Sequence, residues 1–186
     1  MKYQLLLISF IFIQTFSAAQ SQSDIRERKI KSAKTITKDF RKGELKTRIS
    51  VSVFDNHGNV IERTEFGEDS VNLGREVRKF NKRNDEIELS VFDSSGHLNS
   101  VTKSQYDKWH NLISIAKYDS KNTMLERTEI VYNNSNDKES EITTGPDGKI
   151  SKSVKYEYDH KGMLISRKIF NEKGEVVFLR EYEYQY

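Results

Sequence analysis

Residues 118–136 read "YDSKNTMLERTEIVYNNSN", and the stretch carries one pattern twice. An aromatic comes first, then Asp or Asn, then two loosely specified polar residues, then Asn. Followed outward, the aromatic falls at Phe54, Phe66, Phe80, Phe92, Tyr106, Tyr118, Tyr132, Tyr158 and Phe170. Thr144 fills the one gap, and Phe40 and Tyr184 extend the series in both directions. The steps alternate 14 and 12 without exception, so the repeat is 26 residues long. Internal periodicity of this length marks a repeat architecture.

The columns behind the aromatic explain the beat. One residue on stand Asp55, Gly67, Asn81, Asp93, Asp107, Asp119, Asn133, Gly145, Asp159 and Asn171. Asp and Asn open turns by accepting backbone hydrogen bonds two residues further on, and Gly bends freely. Four residues on stand Gly58, Ser70, Asn84, Gly96, His110, Asn122, Asn136, Gly148, Gly162 and Gly174. Gly is the natural occupant of a left-handed backbone position, with Asn and His next. Only Ser70 fits that column poorly. A type I turn closed by a left-handed residue joins hairpins.

Between turns lie seven to nine residues of strand-like text, such as "VIERTEF", "LNSVTKSQY", "LISIAKY" and "LISRKIF". Alternation is imperfect, with apolar residues on both parities. Turns this frequent leave no room for an ordinary helix. The expected fold is all-β: an antiparallel meander of about eleven strands built from 26-residue hairpin repeats, twisted and curled. Even steps keep every aromatic on one sheet face, because side chains alternate with period two. Strands running one way are two residues longer than those running back. If all turns consume equal residues and no bulge absorbs the difference, the ladder slips about one residue per strand. With strands ~4.8 Å apart and a rise of ~3.3 Å per residue, the tilt is roughly 35°. The sheet should form an open spiral or, at the limit, a barrel.

Residues 1–20, "MKYQLLLISFIFIQTFSAAQ", are of another kind. Lys2, an apolar run over residues 5–16, and small residues Ser17, Ala18 and Ala19 have the layout of a secretory signal peptide. The run is shorter than the ~20 residues that span a bilayer. The expected domains are a signal peptide over 1–19, a lead-in over 20–39 and the hairpin repeats over 40–186. Within the lead-in, residues 24–31 read as a short helix or as disordered, and 33–40 as a further strand. The chain has no cysteine, which excludes disulfides and a lipidated-cysteine anchor. The mature protein is expected to be secreted or periplasmic, with no membrane span after cleavage. A net charge of +3, with lysine and glutamate interspersed, gives no footprint for nucleic acid.

The phrases "FDNHGNVIERTEF", "FDSSGHLNSVTKSQY", "YDSKNTMLERTEI" and "YDHKGMLISRKIF" resemble the YD-repeat (RHS-repeat) family. Its signature is Tyr-Asp, two free residues, Gly and an aliphatic strand. The resemblance covers residues 40–186. It implies a β-hairpin protein of cell surfaces or secreted toxin shells, in a family often described as carbohydrate-binding. This chain is too short to build an enclosing shell and carries no appended toxin region. A weaker likeness is to YwqK-type and MORN β-hairpin repeats, whose turns are richer in glycine.

The residues offer chemistry little purchase. His57, His97, His110 and His160 all fall in turns, and three of those turns emerge at one end of the sheet. Turns there are ~10 Å apart, whereas zinc holds its ligands at ~2.1 Å. The turns opened by Asp55, Asp93 and Asp119 supply a single carboxylate each, too few for a calcium loop. No nucleophile elbow or phosphate-cradling loop is present. The chain therefore reads as a non-enzyme without cofactor or metal. Trp109, inside the "DKWHN" turn, is read two ways: a stacking platform for a sugar or partner, or a ring folded back onto the sheet. Tyr156, Tyr158, Tyr182, Tyr184 and Tyr186 share one parity. They are read as an aromatic patch for glycan contact or as cross-strand packing that closes the array. The expected function is binding of a carbohydrate or cell-envelope polymer. The alternative is a protein-interaction scaffold or immunity-type partner.

Overall fold

A computed structural model describes residues 21–39 and 46–185. The expected signal peptide, Phe40 and Tyr186 lie outside the described residues. A short helix, α1 (Gln22–Glu27), is followed by twelve strands: β1 (Ser32–Asp39), β2 (Lys46–Phe54), β3 (Val60–Phe66), β4 (Asn72–Phe80), β5 (Glu86–Phe92) and β6 (Leu98–Tyr106), then β7 (Leu112–Asp119), β8 (Met124–Tyr132), β9 (Lys138–Thr144), β10 (Ile150–Tyr158), β11 (Leu164–Asn171) and β12 (Val176–Glu181). They form one antiparallel sheet in strict chain order, open because β1 and β12 do not pair. Barrel closure does not occur. The count exceeds the expected eleven because the lead-in supplies β1, while its first part forms α1. Ser21 and Asp24 cap that helix reciprocally, each side chain bonding the other's backbone N–H.

The turns follow the columns residue by residue. Gly58, Ser70, Asn84, Gly96, His110, Asn122, Asn136, Gly148, Gly162 and Gly174 all have positive φ. Ser70 adopts the left-handed conformation too, at φ 57°. Each of these residues donates its N–H to the carbonyl three residues back, as Gly58 does to Asp55 at 3.2 Å. Where the column before it holds Asp or Asn, the side chain fixes the bend. Asp55 Oδ1 accepts from His57 N–H at 2.8 Å and Asn59 N–H at 2.9 Å. Gly145 has no side chain to do this, and Asp147 accepts from Lys149 N–H instead, at 3.1 Å.

One expectation fails. Each of the ten hairpins from β2–β3 to β11–β12 carries a β-bulge at the same place, which reverses the parity of the strand after it, whereas β1 pairs with β2 without a shift. Phe54 pairs with Val60 but Val53 with Glu62, so Ile61 is extra. The same skip recurs at Leu73, Ile87, Asn99, Ile113, Leu125, Glu139, Ser151, Ile165 and Val177. Successive aromatics therefore lie on opposite faces. Phe54, Phe80, Tyr106, Tyr132 and Tyr158 share one face at one end of the sheet. Phe66, Phe92, Tyr118 and Phe170 share the other face at the other end. Contacts agree: Arg75, paired with Phe92, stacks over its ring at 4.7 Å, and Lys103 lies 5.2 Å from the Tyr118 centroid. At the β3–β4 bulge the chain needs Gly74, whose φ is 144° and whose absent Cβ would lie 2.8 Å from the Phe92 carbonyl oxygen.

The expected slip is present, because the bulges are identical and cannot cancel it. Val53 pairs with Glu62, and Glu62 with Val77, two positions short of Lys79, which stands one repeat beyond Val53. The same offset carries Ser90 to Val101 and on to Tyr118. Apart from α1 the sheet has no second layer among the described residues. Its only cluster of buried apolar residues among the described ones is Ile25, Phe54 and Val60, with Ile30 and Ala33 against it. Ile25 drops from α1 onto the first aromatic, as a terminal cap covers the end of a repeat array.

Candidate functional site

The end of the sheet that carries turns 55–59, 81–85, 107–111, 133–137 and 159–163 is tied together by side chains. Gln22 Nε2 donates to Asn59 Oδ1 at 2.6 Å, and Asn59 Nδ2 donates to Asn84 Oδ1. His110 Nδ1 lies 2.6 Å from Asp85 Oδ1, and Asn111 Nδ2 donates to Asn136 Oδ1. The rule is constant: the fifth residue after one aromatic reaches the left-handed residue of the next repeat. Arg83 adds a second tie, donating to the Asp107 carbonyl at 2.8 Å and the Lys108 carbonyl at 3.1 Å. The series ends at Gly162, which has no side chain. Sequence reasoning missed this lacing, although Asn59, Asp85, Asn111 and Asp137 recur every 26 residues.

The same end carries a column of tyrosine hydroxyls. Tyr106, Tyr132, Tyr158 and Tyr184 donate to the carbonyls of Glu86, Leu112, Lys138 and Leu164, at 3.0, 3.2, 2.7 and 2.9 Å. The stagger explains why. Glu86 starts β5, yet the ladder to β6 starts only at Glu88. The carbonyl at each such step has no strand partner, and a buried carbonyl needs a donor. Burial raises the pKa of Tyr106 and of Tyr158, so both stay protonated and able to donate.

The electrostatics of the lacing centre on Asp85, whose side chain is only 8% exposed. The hydrogen bonds from His110 and then Asn81 hold its carboxyl below the ordinary value, with Arg83 at 3.3 Å adding to the effect. Burial raises Asp107, but bonds from Asn111 and Trp109 outweigh it and leave the group lowered. Both carboxylates are thus held ionised as turn anchors.

Trp109 stands on this laced row. Its backbone N–H is fixed to Asp107 Oδ1 at 2.8 Å, while the residue is 66% exposed. The ring does not fold back onto the sheet. Lys108 Nζ lies 4.1 Å from the ring centroid. The tyrosines separate into roles. Tyr156 and Tyr158 share a face on β10; Tyr156 donates to Glu141 Oε1 at 2.9 Å, and Arg167 lies 5.9 Å from its ring. Tyr182 and Tyr184 follow the end of β12, with Tyr182 N–H bonded to the Ile165 carbonyl. Tyr158 and Tyr184 occupy successive places in the hydroxyl column, so both engage in packing. Trp109 is not brought to them.

Among the described residues no group of three or more His, Asp and Glu is placed to hold a metal ion. No helix among them is long and apolar enough to cross a membrane.

No family model matches the chain, and no curated protein matches it. Several solved structures do. A porin-like protein from Bacteroides uniformis is 11% identical, with a TM-score of 0.45 over 80% of this chain and 57% of that one. TcdB2-TccC3-Cdc42 is 12% identical, with a TM-score of 0.34 over 80% of this chain and 10% of that one. TcdB2-TccC3 without its hypervariable C-terminal region is 11% identical, with a TM-score of 0.31 over 82% and 11%. The chain spans little more than half of the first and about a tenth of the others.

Proposed function

We propose that this chain is a secreted, non-catalytic repeat protein of the YD-repeat kind that binds a carbohydrate or cell-envelope polymer along its laced row of turns. The observation that carries the reading is Trp109. An indole exposed to 66%, on a turn anchored by Asp107 and tied to its neighbours by Asn111 and Arg83, is a rigid stacking platform. Such a ring supplies large contact area at low entropic cost. Lys108 covers one ring face, leaving the other for a pyranose ring. Arg83 and His110, on and beside the same turn, supply hydrogen-bonding groups.

Retention on a glycan array tests this. Trp109→Ala should abolish binding and leave the unfolding midpoint unchanged. Binding that survives the substitution, or no glycan binding at all, contradicts the reading. The second reading, a protein-interaction element of the envelope, is favoured by the apolar edge at β12. Under that reading an affinity pull-down recovers a protein, and Trp109→Ala has no effect.

A further inference from the structure

The two edges of the sheet are built differently. β1 carries Lys34 and Lys38, charges of the kind that discourage strand addition, and α1 precedes it. β12 reads "VVFLRE" and is exposed throughout. Val176, Val177, Phe178 and Leu179 are four consecutive exposed apolar residues. Since Phe178 pairs with Ile169 and Leu179 with Lys168, the apolar character extends over both faces. A long apolar edge without protection is a template for another strand.

The backbone fixes where that strand would bond. Tyr182 N–H donates inward to Ile165 C=O. Residues of an antiparallel strand bond alternately to either side. Arg180 therefore shares the inward direction of Tyr182, while Leu179 and Glu181 turn their N–H and C=O groups to the open edge.

We propose that β12 pairs with β12 of a second copy of this chain, antiparallel and centred on Leu179. A two-fold axis perpendicular to the sheet runs through a pair of identical residues, and it can run through a pair whose residue exchanges both backbone hydrogen bonds with its own copy. Leu179 is such a residue. In this register Phe178 faces the second copy's Arg180, and Val177 faces its Glu181. The Phe178 ring is already a cation acceptor, with Arg180 at 5.5 Å and Arg167 at 5.8 Å. No like charges oppose one another, whereas centring on Arg180 or Glu181 would set like against like. Centring on Phe178 would set Glu175 against Glu181, and Val177 is the extra residue of the last bulge, so charge and backbone geometry together select one register. A six-residue strand is ~20 Å long and covers less than the ~800 Å² per partner of a standard interface. The dimer is accordingly concentration-dependent, and it is independent of what Trp109 binds.

The absence of cysteine makes the test clean. Cα atoms of a bonded antiparallel pair lie ~5.5 Å apart, within disulfide range. Under mild oxidation Leu179→Cys should form a covalent dimer at least about tenfold faster than Val71→Cys, a control at an exposed turn away from β12. Sedimentation of the unmodified protein should show dimer growing with concentration. Leu179→Lys should abolish it without moving the unfolding midpoint. Equal cross-linking at both positions, a protein monomeric at every concentration, or Leu179→Cys linking preferentially to an Ile36→Cys chain would each overturn the proposal.

Discussion

Turns 55–59, 81–85, 107–111, 133–137 and 159–163 lie along one end of the sheet. Turns 67–71, 93–97, 119–123, 145–149 and 171–175 lie along the other. Both rows bend through the same hydrogen bonds: Asn84 N–H to the Asn81 carbonyl on the first, Asn122 N–H to the Asp119 carbonyl on the second. Among the described residues only the first row is tied from repeat to repeat, through Asn59–Asn84, Asp85–His110 and Asn111–Asn136. The second row places Val71, His97, Thr123, Lys149 and Glu175 at the linking position. Its aromatic column holds Phe66, Phe92 and Phe170, which carry no hydroxyl, together with Tyr118 and Thr144. Bending is thus a property of each hairpin, whereas coupling between repeats is a property of one end. In a single-layer sheet with little core, that end fixes how successive hairpins sit.

The sharpest way to break the comparison is to make one change in each row. Gly58→Ala forces a side chain into the left-handed region and sets a Cβ 2.5 Å from the Gln22 carbonyl oxygen, lifting α1 from Phe54 and Val60. Gly96→Ala meets nothing within 4 Å. The first should cost about 2–4 kcal/mol and the second about 1, read as urea midpoints. Equal losses would mean that α1 does not cap the array.

The hydroxyl column makes the next contrast. Tyr132→Phe removes the donor to the Leu112 carbonyl and should cost about 1 kcal/mol, while Tyr118→Phe on the unlaced end should be close to neutral. A double-mutant cycle on Asn111→Ala and Asn136→Ala should return a coupling of about 0.5 kcal/mol or more. Strict additivity would show the lacing to be energetically idle.

The smallest effect is acid lability. Asp85 has a folded pKa below the model-compound value of 3.8, through His110 and then Asn81. Its stabilisation is present above that value and fades as pH falls through the lowered one. The urea midpoint should therefore drop on acidification below about pH 4. Asp85→Asn should flatten part of the drop, and an unchanged slope in that variant would remove Asp85 from the account.

The sequence carried the turns in full. Left-handed geometry was readable from the Gly, Asn and His column, and even the poorly fitting Ser70 obeys it, because the hairpin overrides one residue's preference. The bulges were not read, although their signal is present. Apolar doublets follow the turns at Val60–Ile61, Leu112–Ile113, Met124–Leu125, Leu164–Ile165 and Val176–Val177. A doublet breaks period-two alternation unless one residue is extra, which is why parity placed all the aromatics on one face when they alternate. At the candidate site, the place of Trp109 in a turn left its ring open to two readings, and the structure exposes it. Packing of Tyr158 and Tyr184 was one of two readings, but their hydroxyl bonds were not legible, since these depend on carbonyls that only the stagger leaves without strand partners. The ties from Asp85 to His110 and from Ile25 to Phe54 join residues about one repeat apart, where local pattern is silent.

The central claim is a sheet whose hairpins repeat with a constant bulge and a cumulative slip. An interstrand NOE map of β3 and β4 tests it directly. The account predicts that Glu62 lies opposite Val77 and Glu65 opposite Gly74. Contacts from Glu62 to Lys79, one full repeat from Val53, would mean that the strands run without slip and would contradict it.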